Sequence, residues 1–219
     1  MIKRGMVFGS YYTGAQGWTL TGWKLSEPDP KTHYIDKPGG DGAWDYSTAL
    51  TDGLIRFKDR ELTATFELSE GDRLYREREI RSMINQLHGL QMHIELPDDE
   101  AHYLVGRLRV VKEYNDEAHA AVKVTATCEP WKYKRIETWR LLGATEIAQT
   151  AVITNAGRRE VVPTIEVSEE ALIVYGGSSW ALSKGVHSIP DLQLVQGDHV
   201  ITYSGKGTIR FTYREAVLE

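Results

Sequence analysis

The most regular pattern in the chain is an alternation of apolar and polar side chains between Glu61 and Leu68. Successive side chains of a β-strand point to opposite faces, so this period of two predicts a strand with one face turned inward. The inward positions are Leu62, Ala64, Phe66 and Leu68. From Met6 to Leu25, apolar and aromatic residues are separated by glycines, which favours short strands joined by tight turns.

A helical pattern follows this strand. Asp72 suits the N-cap of a helix, and Gly89 suits the position after its last turn. Apolar residues between them recur at helical spacing: Leu74, Ile80, Met83, Ile84 and Leu87. The opposite face carries charge: Arg73, Arg76, Glu77, Arg78, Glu79 and Arg81. The glutamates interrupt the positive charge, so we interpret this face as solvated, or as one side of a subunit contact, rather than as a nucleic-acid site.

Two long alternating segments come next, Ala101 to Tyr114 and Ala118 to Thr127, with Asn115 and Asp116 between them. This arrangement predicts a hairpin of two long strands. A single helix lying on such strands gives an α+β layer arrangement. Pro130 cannot donate to a strand ladder and should end it, so we place the domain boundary near Arg135.

The remainder, Ile136 to Glu219, consists of short apolar segments separated by glycine turns and has no helical pattern. Such spacing predicts a small antiparallel β-sandwich. The predicted fold class is therefore mainly β (α+β). We expect an N-terminal domain over residues 1–135, a β-sandwich or β-barrel-like structure with one α-helix and a long hairpin, and a β-sandwich domain over residues 136–219.

A glycine-rich loop lies inside the segment from Thr32 to Leu68. It consists of Pro38, Gly39, Gly40, Asp41 and Gly42. Three glycines in four positions permit positive φ angles and close backbone approach, so the role of the loop is geometric. We expect Gly40 and Gly42 in particular to need that freedom.

Composition and charge exclude several classes of protein. Hydrophobic residues make up 41% and charged residues 26%, as in an ordinary globular protein. The formal net charge of -5 disfavours a dedicated DNA-binding protein. The basic pair Lys3 and Arg4 precedes an apolar stretch too short for a signal peptide, and no later stretch has the roughly 18 apolar residues of a membrane-spanning helix. A single cysteine, Cys128, excludes an internal disulfide and is typical of folding in a reducing cytoplasm.

No motif in the chain carries an evident catalytic chemistry. The histidines form no HExxH pattern, and there is no nucleophile elbow and no phosphate-binding lysine loop. Carboxylates are plentiful, so their number alone does not exclude a glycosidase, but we interpret Asp98, Asp99 and Glu100 as acids of a solvated turn. Asp41 and Asp45 are a weak calcium candidate, since an oxygen cage needs more donors. We expect no catalytic residue, no metal and no cofactor.

The order of the motifs resembles one protein family. An extended PDPKTHYID is followed by PGGDGAWDYSTAL, then by DREL running into TATFEL, a helix, and a hairpin that ends in CEPWKY. This order is similar to that of the distal tail protein (Dit) family of siphophages. NAGRREVVPTIEV and DLQLVQGDHVITYSGKGTIRFTYRE resemble the terminal galectin-like β-sandwich of that family. The resemblance implies a structural, non-enzymatic protein of the virion tail tip or baseplate, assembled in the bacterial host cytoplasm.

The resemblance also implies a homohexameric ring formed by the N-terminal domain. Its partners would be the major tail tube protein and a tail-tip or tail-associated protein, with tape measure protein and DNA passing through the lumen and no membrane contact. The oligomer interface is expected to include Pro38, Gly39, Gly40, Asp41, Gly42 and Trp44. A second hypothesis is a carbohydrate-binding module that assists adhesion to the host surface, with Trp180 as the candidate sugar-binding residue. A tail-tip enzyme acting on cell wall ranks last, because no catalytic signature is present.

Overall fold

The computed structural model describes residues 5–51 and 53–219. The basic pair Lys3 and Arg4, and Asp52 in the segment around the glycine-rich loop, lie outside the described residues. The chain divides into a first unit that ends at Pro130 and a second unit from Trp131 to Glu219. The division precedes Arg135, and the strand Lys132–Lys134, which pairs with Ala216–Val217, falls within the second unit.

The first unit is an antiparallel sheet covered by a helix. Its elements are β1 (Val7–Phe8), β2 (Tyr11–Tyr12), β3 (Thr19–Leu25), β4 (Tyr34–Asp36), β5 (Ala43–Asp45), β6 (Arg60–Leu68), α1 (Arg73–Leu87), β7 (Gln91–Glu95), β8 (His102–Asn115) and β9 (Ala120–Cys128). Hydrogen bonds order the sheet as β2-β1-β7-β8-β9-β6-β3, while β4 and β5 form a separate ribbon. The strand β6, the helix and the β8–β9 hairpin confirm the periodicity predictions.

This sheet is strongly curled. In a flat sheet β1 and β6 would lie about 19 Å apart, since neighbouring strands are spaced by about 4.8 Å. The rings of Phe8 on β1 and Phe66 on β6 instead meet edge to face, with 6.1 Å between their centroids. The curled sheet and the buried helix residues Ile80, Met83 and Leu87 enclose one core. The expectation of a barrel-like first domain with one helix is confirmed.

The helix begins and ends as its sequence predicts, but its two faces differ from the prediction at two positions. The Asp72 carboxylate accepts a 2.7 Å hydrogen bond from the Tyr75 N–H, and Gly89 has a φ of +80°. Leu74, expected to face inward, is 74% exposed because it lies on the solvent side of the first turn. Arg76, expected on the charged face, is 2% exposed.

Arg76 is buried because its guanidinium binds backbone carbonyls just before the helix and in the β8–β9 turn. Its NH1 donates to the Gly71 carbonyl at 2.7 Å. Its NH2 donates to the carbonyls of Asp116 at 2.9 Å and Glu117 at 3.0 Å. A buried arginine is tolerable only when its donors are satisfied, and here carbonyls rather than a carboxylate satisfy them. The arginine therefore ties the first turn of α1 to the tip of the long hairpin.

The second unit is a β-sandwich. Its strands are β10 (Lys132–Lys134), β11 (Thr138–Gly143), β12 (Gln149–Asn155), β13 (Thr164–Val167), β14 (Ala171–Tyr175), β15 (Ser178–Leu182), β16 (Gly185–Ser188), β17 (Gly197–Gly205), β18 (Thr208–Tyr213) and β19 (Ala216–Val217). One sheet has the order β11-β18-β13-β16 and the other β12-β17-β14-β15. Ile165 and Phe211 of the first sheet and Ile173 and Ile201 of the second are fully buried in a shared core. The mainly β fold class is confirmed in both units.

Candidate assembly interface

The glycine-rich loop is the tip of a short hairpin. Strand β4 pairs antiparallel with β5, with Tyr34 opposite Asp45, Ile35 opposite Trp44 and Asp36 opposite Ala43. The Gly40 N–H donates to the Lys37 carbonyl at 3.2 Å, closing a turn with Pro38 and Gly39 at its centre. Gly39 has a φ of +70°, as the third residue of a type II turn after proline requires.

The expected backbone freedom is confirmed at Gly42 and wrong at Gly40. Gly42 has a φ of +76°, in the left-handed region that a side chain disfavours. Gly40 has no positive φ, and a Cβ placed on it would meet only the Lys37 Cβ at 3.7 Å. The residue that needs the freedom is Gly39, because the proline turn sets the left-handed position one residue earlier than we expected.

The hairpin is the end of a longer arm, which we define as residues 29–51 and 53–58. At its base the Lys31 N–H donates to the Arg56 carbonyl at 2.7 Å, and the Lys58 N–H donates to the Asp29 carbonyl at 2.8 Å. Further out, the Tyr46 N–H donates to the His33 carbonyl at 2.8 Å. The arm thus continues the antiparallel pairing of β3 with β6 beyond the ends of these two strands.

A serine and an aspartate fix the inner end of the hairpin. The His33 N–H donates to the Ser47 hydroxyl at 2.9 Å, and the Ser47 N–H donates to the Asp45 carboxylate at 2.8 Å. The hydrogen bonds from Ser47 hold the pKa of Asp45 below its ordinary value. Asp45 therefore serves as an ionised residue of this turn.

The arm exposes aromatic and aliphatic side chains to solvent. Every residue from Asp29 to Tyr46 is exposed, including Tyr34 at 59% and Trp44 at 47%. Ile35 and Tyr46 are exposed to a similar extent. A two-stranded ribbon is marginally stable in water, and clustered exposed apolar groups mark contact surfaces. Packing of this surface against another protein stays a prediction.

The fold of almost the whole chain is similar to that of a phage protein. The crystal structure of the Dit protein of phage SPP1 superposes on it with a TM-score of 0.70, covering 96% of this chain and 98% of that one at 15% sequence identity. The chain has the Dit fold. The SPP1 protein is described as a paradigm of the hub of the adsorption apparatus in phages that infect Gram-positive bacteria. No family model matches the chain, and no curated protein matches its sequence.

Within this Dit fold, the residues predicted for the interface lie together. Pro38, Gly39, Gly40, Asp41 and Gly42 form the tip of the arm, and Trp44 lies on β5 beside them. Sequence reasoning missed Tyr34, Ile35 and Tyr46, which belong to the same exposed surface. The three-residue strands β4 and β5 are too short for their alternation to be recognised in the sequence. Their role in assembly stays a prediction.

Trp180, the residue predicted for sugar binding, is half-buried on the inner side of the C-terminal sandwich. It lies opposite Ile173 on the neighbouring strand and packs against the core of the second unit. The exposed tryptophan of this unit is Trp139 on β11, at 57% exposure. Stacking of a sugar on Trp180 stays a prediction, with only part of the indole accessible.

A groove of about 500 Å³ on the second unit is lined by Glu146, Glu170 and Lys206, with Leu172, Ala181 and Ser204 among its other residues. Glu146 and Lys206 form an exposed ion pair at 3.4 Å. Over residues 5–51 and 53–219, no cluster of three or more histidine, cysteine, aspartate or glutamate residues could hold a metal ion. None of the helices in this described part is long and apolar enough to cross a membrane.

Proposed function

We propose that the protein is a structural subunit of the tail-tip hub of a siphophage. The observation that carries the proposal is the Dit fold, which extends over almost the whole length of both chains. The SPP1 relative in structure is a hub protein of an adsorption apparatus. The chain would act by holding other tail proteins in place and not by transforming a substrate.

Its assembled form is a hexameric ring built by the first unit. Head-to-tail contacts that close into a ring require two different patches on every subunit. The arm supplies one patch, with Pro38, Gly39, Gly40, Asp41, Gly42 and Trp44 at its end. Its exposed aromatic groups would become the buried anchors of each subunit contact.

The ring would join the major tail tube protein on one side to a tail-tip or tail-associated protein on the other. Tape measure protein and DNA would pass through its lumen. A formal net charge of -5 suits that passage, because an acidic wall does not retain a polyanion. The second unit, a galectin-like sandwich, would decorate the outside of the ring.

Immunogold labelling of intact virions tests this function. Antibodies against the purified chain should label one end of the tail, the end opposite the capsid, and the label should be lost when the antibodies are first saturated with the purified chain. Label along the tail shaft, on the capsid, or only on unassembled protein would contradict the proposal. A second antibody against the tail tube protein serves as the positional control.

A further inference from the structure

The groove of about 500 Å³ on the second unit lies where β14 begins and where β15 and β17 end. Its floor is a row of outward-pointing side chains on these three neighbouring strands. Leu172 on β14 lies opposite Ser204 on β17 and opposite Ala181 on β15, and it is 41% exposed. Sites for small ligands have volumes of about 300–1,000 Å³ and combine an apolar surface with a few placed polar groups. The groove has this size and this composition.

The rim of the groove consists of three turns that backbone hydrogen bonds hold together. The Gly205 N–H donates to the Thr145 carbonyl at 2.9 Å, and the Lys206 N–H donates to the Glu170 carbonyl at 3.0 Å. Gly205 has a φ of +147°, and a Cβ on it would clash with the Glu170 carbonyl oxygen. A glycine is therefore required for the two segments to approach each other so closely. The turns that carry Glu146, Glu170 and Lys206 are fixed relative to one another.

Most polar side chains of the groove have no partner in the described part of the chain. Glu146 and Lys206 form the exposed ion pair at 3.4 Å. Over residues 5–51 and 53–219, the Glu170 carboxylate and the hydroxyls of Ser183 and Ser204 form no hydrogen bond or ion pair with another side chain or with the backbone. These groups are therefore available to a ligand.

The available groups suit a ligand that carries neighbouring hydroxyls. An ionised carboxylate only accepts hydrogen bonds, an ammonium only donates them, and a hydroxyl does both. A ligand that meets Glu170, Lys206 and Ser204 must therefore offer donors and acceptors side by side, as the hydroxyls of a sugar ring do. Two carboxylates against one ammonium leave the groove with a formal charge of -1, which disfavours a phosphate or a uronate.

An extended peptide fits this floor less well than a sugar. Strand β14 lies between β17 and β15, and its backbone groups are used in both ladders. A peptide lying on it would find no free backbone groups to pair with, as strand addition requires. Aromatic ligands also lack a stacking partner, because none of the residues that line the groove in the described chain is aromatic. The aliphatic floor instead suits the C–H groups of a pyranose ring.

We propose that this groove binds an uncharged saccharide. The C–H face of one sugar ring would pack on Leu172 and Ala181. Two neighbouring hydroxyls would donate to the Glu170 carboxylate, and the Lys206 ammonium would donate to a further hydroxyl. The site differs from the predicted sugar contact at Trp180, which does not line the groove. This inference goes beyond the proposed hub function and does not depend on the ring.

A printed array of uncharged and acidic oligosaccharides from bacterial surfaces tests the proposal, with the purified chain as the probe. The unchanged protein should bind at least one uncharged glycan, and saturation-transfer NMR should then give the affinity for that glycan. Glu170→Gln should weaken binding about tenfold, because a charged acceptor forms the stronger hydrogen bonds. Glu169→Gln, in the same turn but outside the groove, should leave the affinity unchanged.

A second pair of variants blocks the floor of the groove. Leu172→Arg places a long charged side chain there and should abolish binding. The matched control is Val186→Arg, at a position that is 68% exposed on the other sheet, and it should bind as the unchanged protein does. The thermal unfolding midpoint should be the same for both, because each position is exposed.

Silence on every uncharged glycan, a preference for acidic glycans, or binding that survives Leu172→Arg would overturn this inference. A silent array together with a tail protein that the unchanged chain retains and Leu172→Arg does not would make the groove a protein contact, and the inference would be equally wrong. None of these results bears on the hub function, which immunogold labelling tests separately.

Discussion

Truncation of Trp44 is the sharpest single-residue test of the arm as an interface. Burying the exposed 47% of its side chain would remove about 120 Å² of apolar surface from water, given about 250 Å² for a whole tryptophan. At about 25 cal/mol per Å² this contributes up to about 3 kcal/mol to each subunit contact. Trp44→Ala should therefore weaken association by about a hundredfold.

Sedimentation velocity over a concentration series measures this change directly. The thermal unfolding midpoint should stay the same, because Trp44 lies outside the buried core of the first unit. Ile147→Ala is a suitable control, since Ile147 is 78% exposed on the second unit and outside the arm. Ile147→Ala should assemble at the same concentration as the unchanged protein. If Trp44→Ala also does so, the arm is not the interface.

Three further predictions concern single side chains. Arg76→Met should lower the free energy of unfolding by about 3 kcal/mol, because three backbone carbonyls lose their donor. Arg73→Met, on the exposed face of the helix, should change it little. Equal denaturation midpoints for the two variants would contradict this. Gly39→Ala should raise the protein concentration needed for assembly about fivefold, because an alanine is strained at positive φ. Gly40→Ala should leave that concentration unchanged. The same sedimentation series measures both. Burial raises the pKa of Glu215, but hydrogen bonds from Lys134 and the Ala156 N–H bring the net pKa below its ordinary value. The ionised group thus stabilises the fold above about pH 4.5, and this contribution is lost as the pH falls through the lowered pKa. Glu215→Gln should therefore reduce the loss of stability at acid pH. An unchanged dependence of stability on acid pH would refute this.

The regular elements were predictable because their evidence is local. The alternation in β6 and in the β8–β9 hairpin, and the spacing from Asp72 to Gly89, each lie within one stretch of sequence. Arg76 was not predictable in the same way. Its partners are carbonyls of Asp116 and Glu117, some 40 residues further along the chain, and only the folded hairpin brings them to the helix.

The candidate site was predictable at its tip and not along its sides. A proline followed by glycines signals a turn, but three-residue strands such as β4 and β5 leave too short a pattern to reveal Tyr34 and Ile35 as exposed partners. The tryptophans show the other limit. Alternation groups Trp139 with Leu141, and Trp180 with Leu182, yet it does not say which face of each strand is inward. The core contacts decide that Trp180 faces inward and Trp139 outward.

The central claim is that copies of this chain close into a ring, and the mass of the assembled particle tests it most directly. Native mass spectrometry of the purified chain should show a hexamer of about 149 kDa, six times the 24.8 kDa of one subunit. It should fall to monomers in the Trp44→Ala variant at the same concentration. A single species at 24.8 kDa for the unchanged protein at every concentration, alone and with the tail tube protein added, would contradict the account.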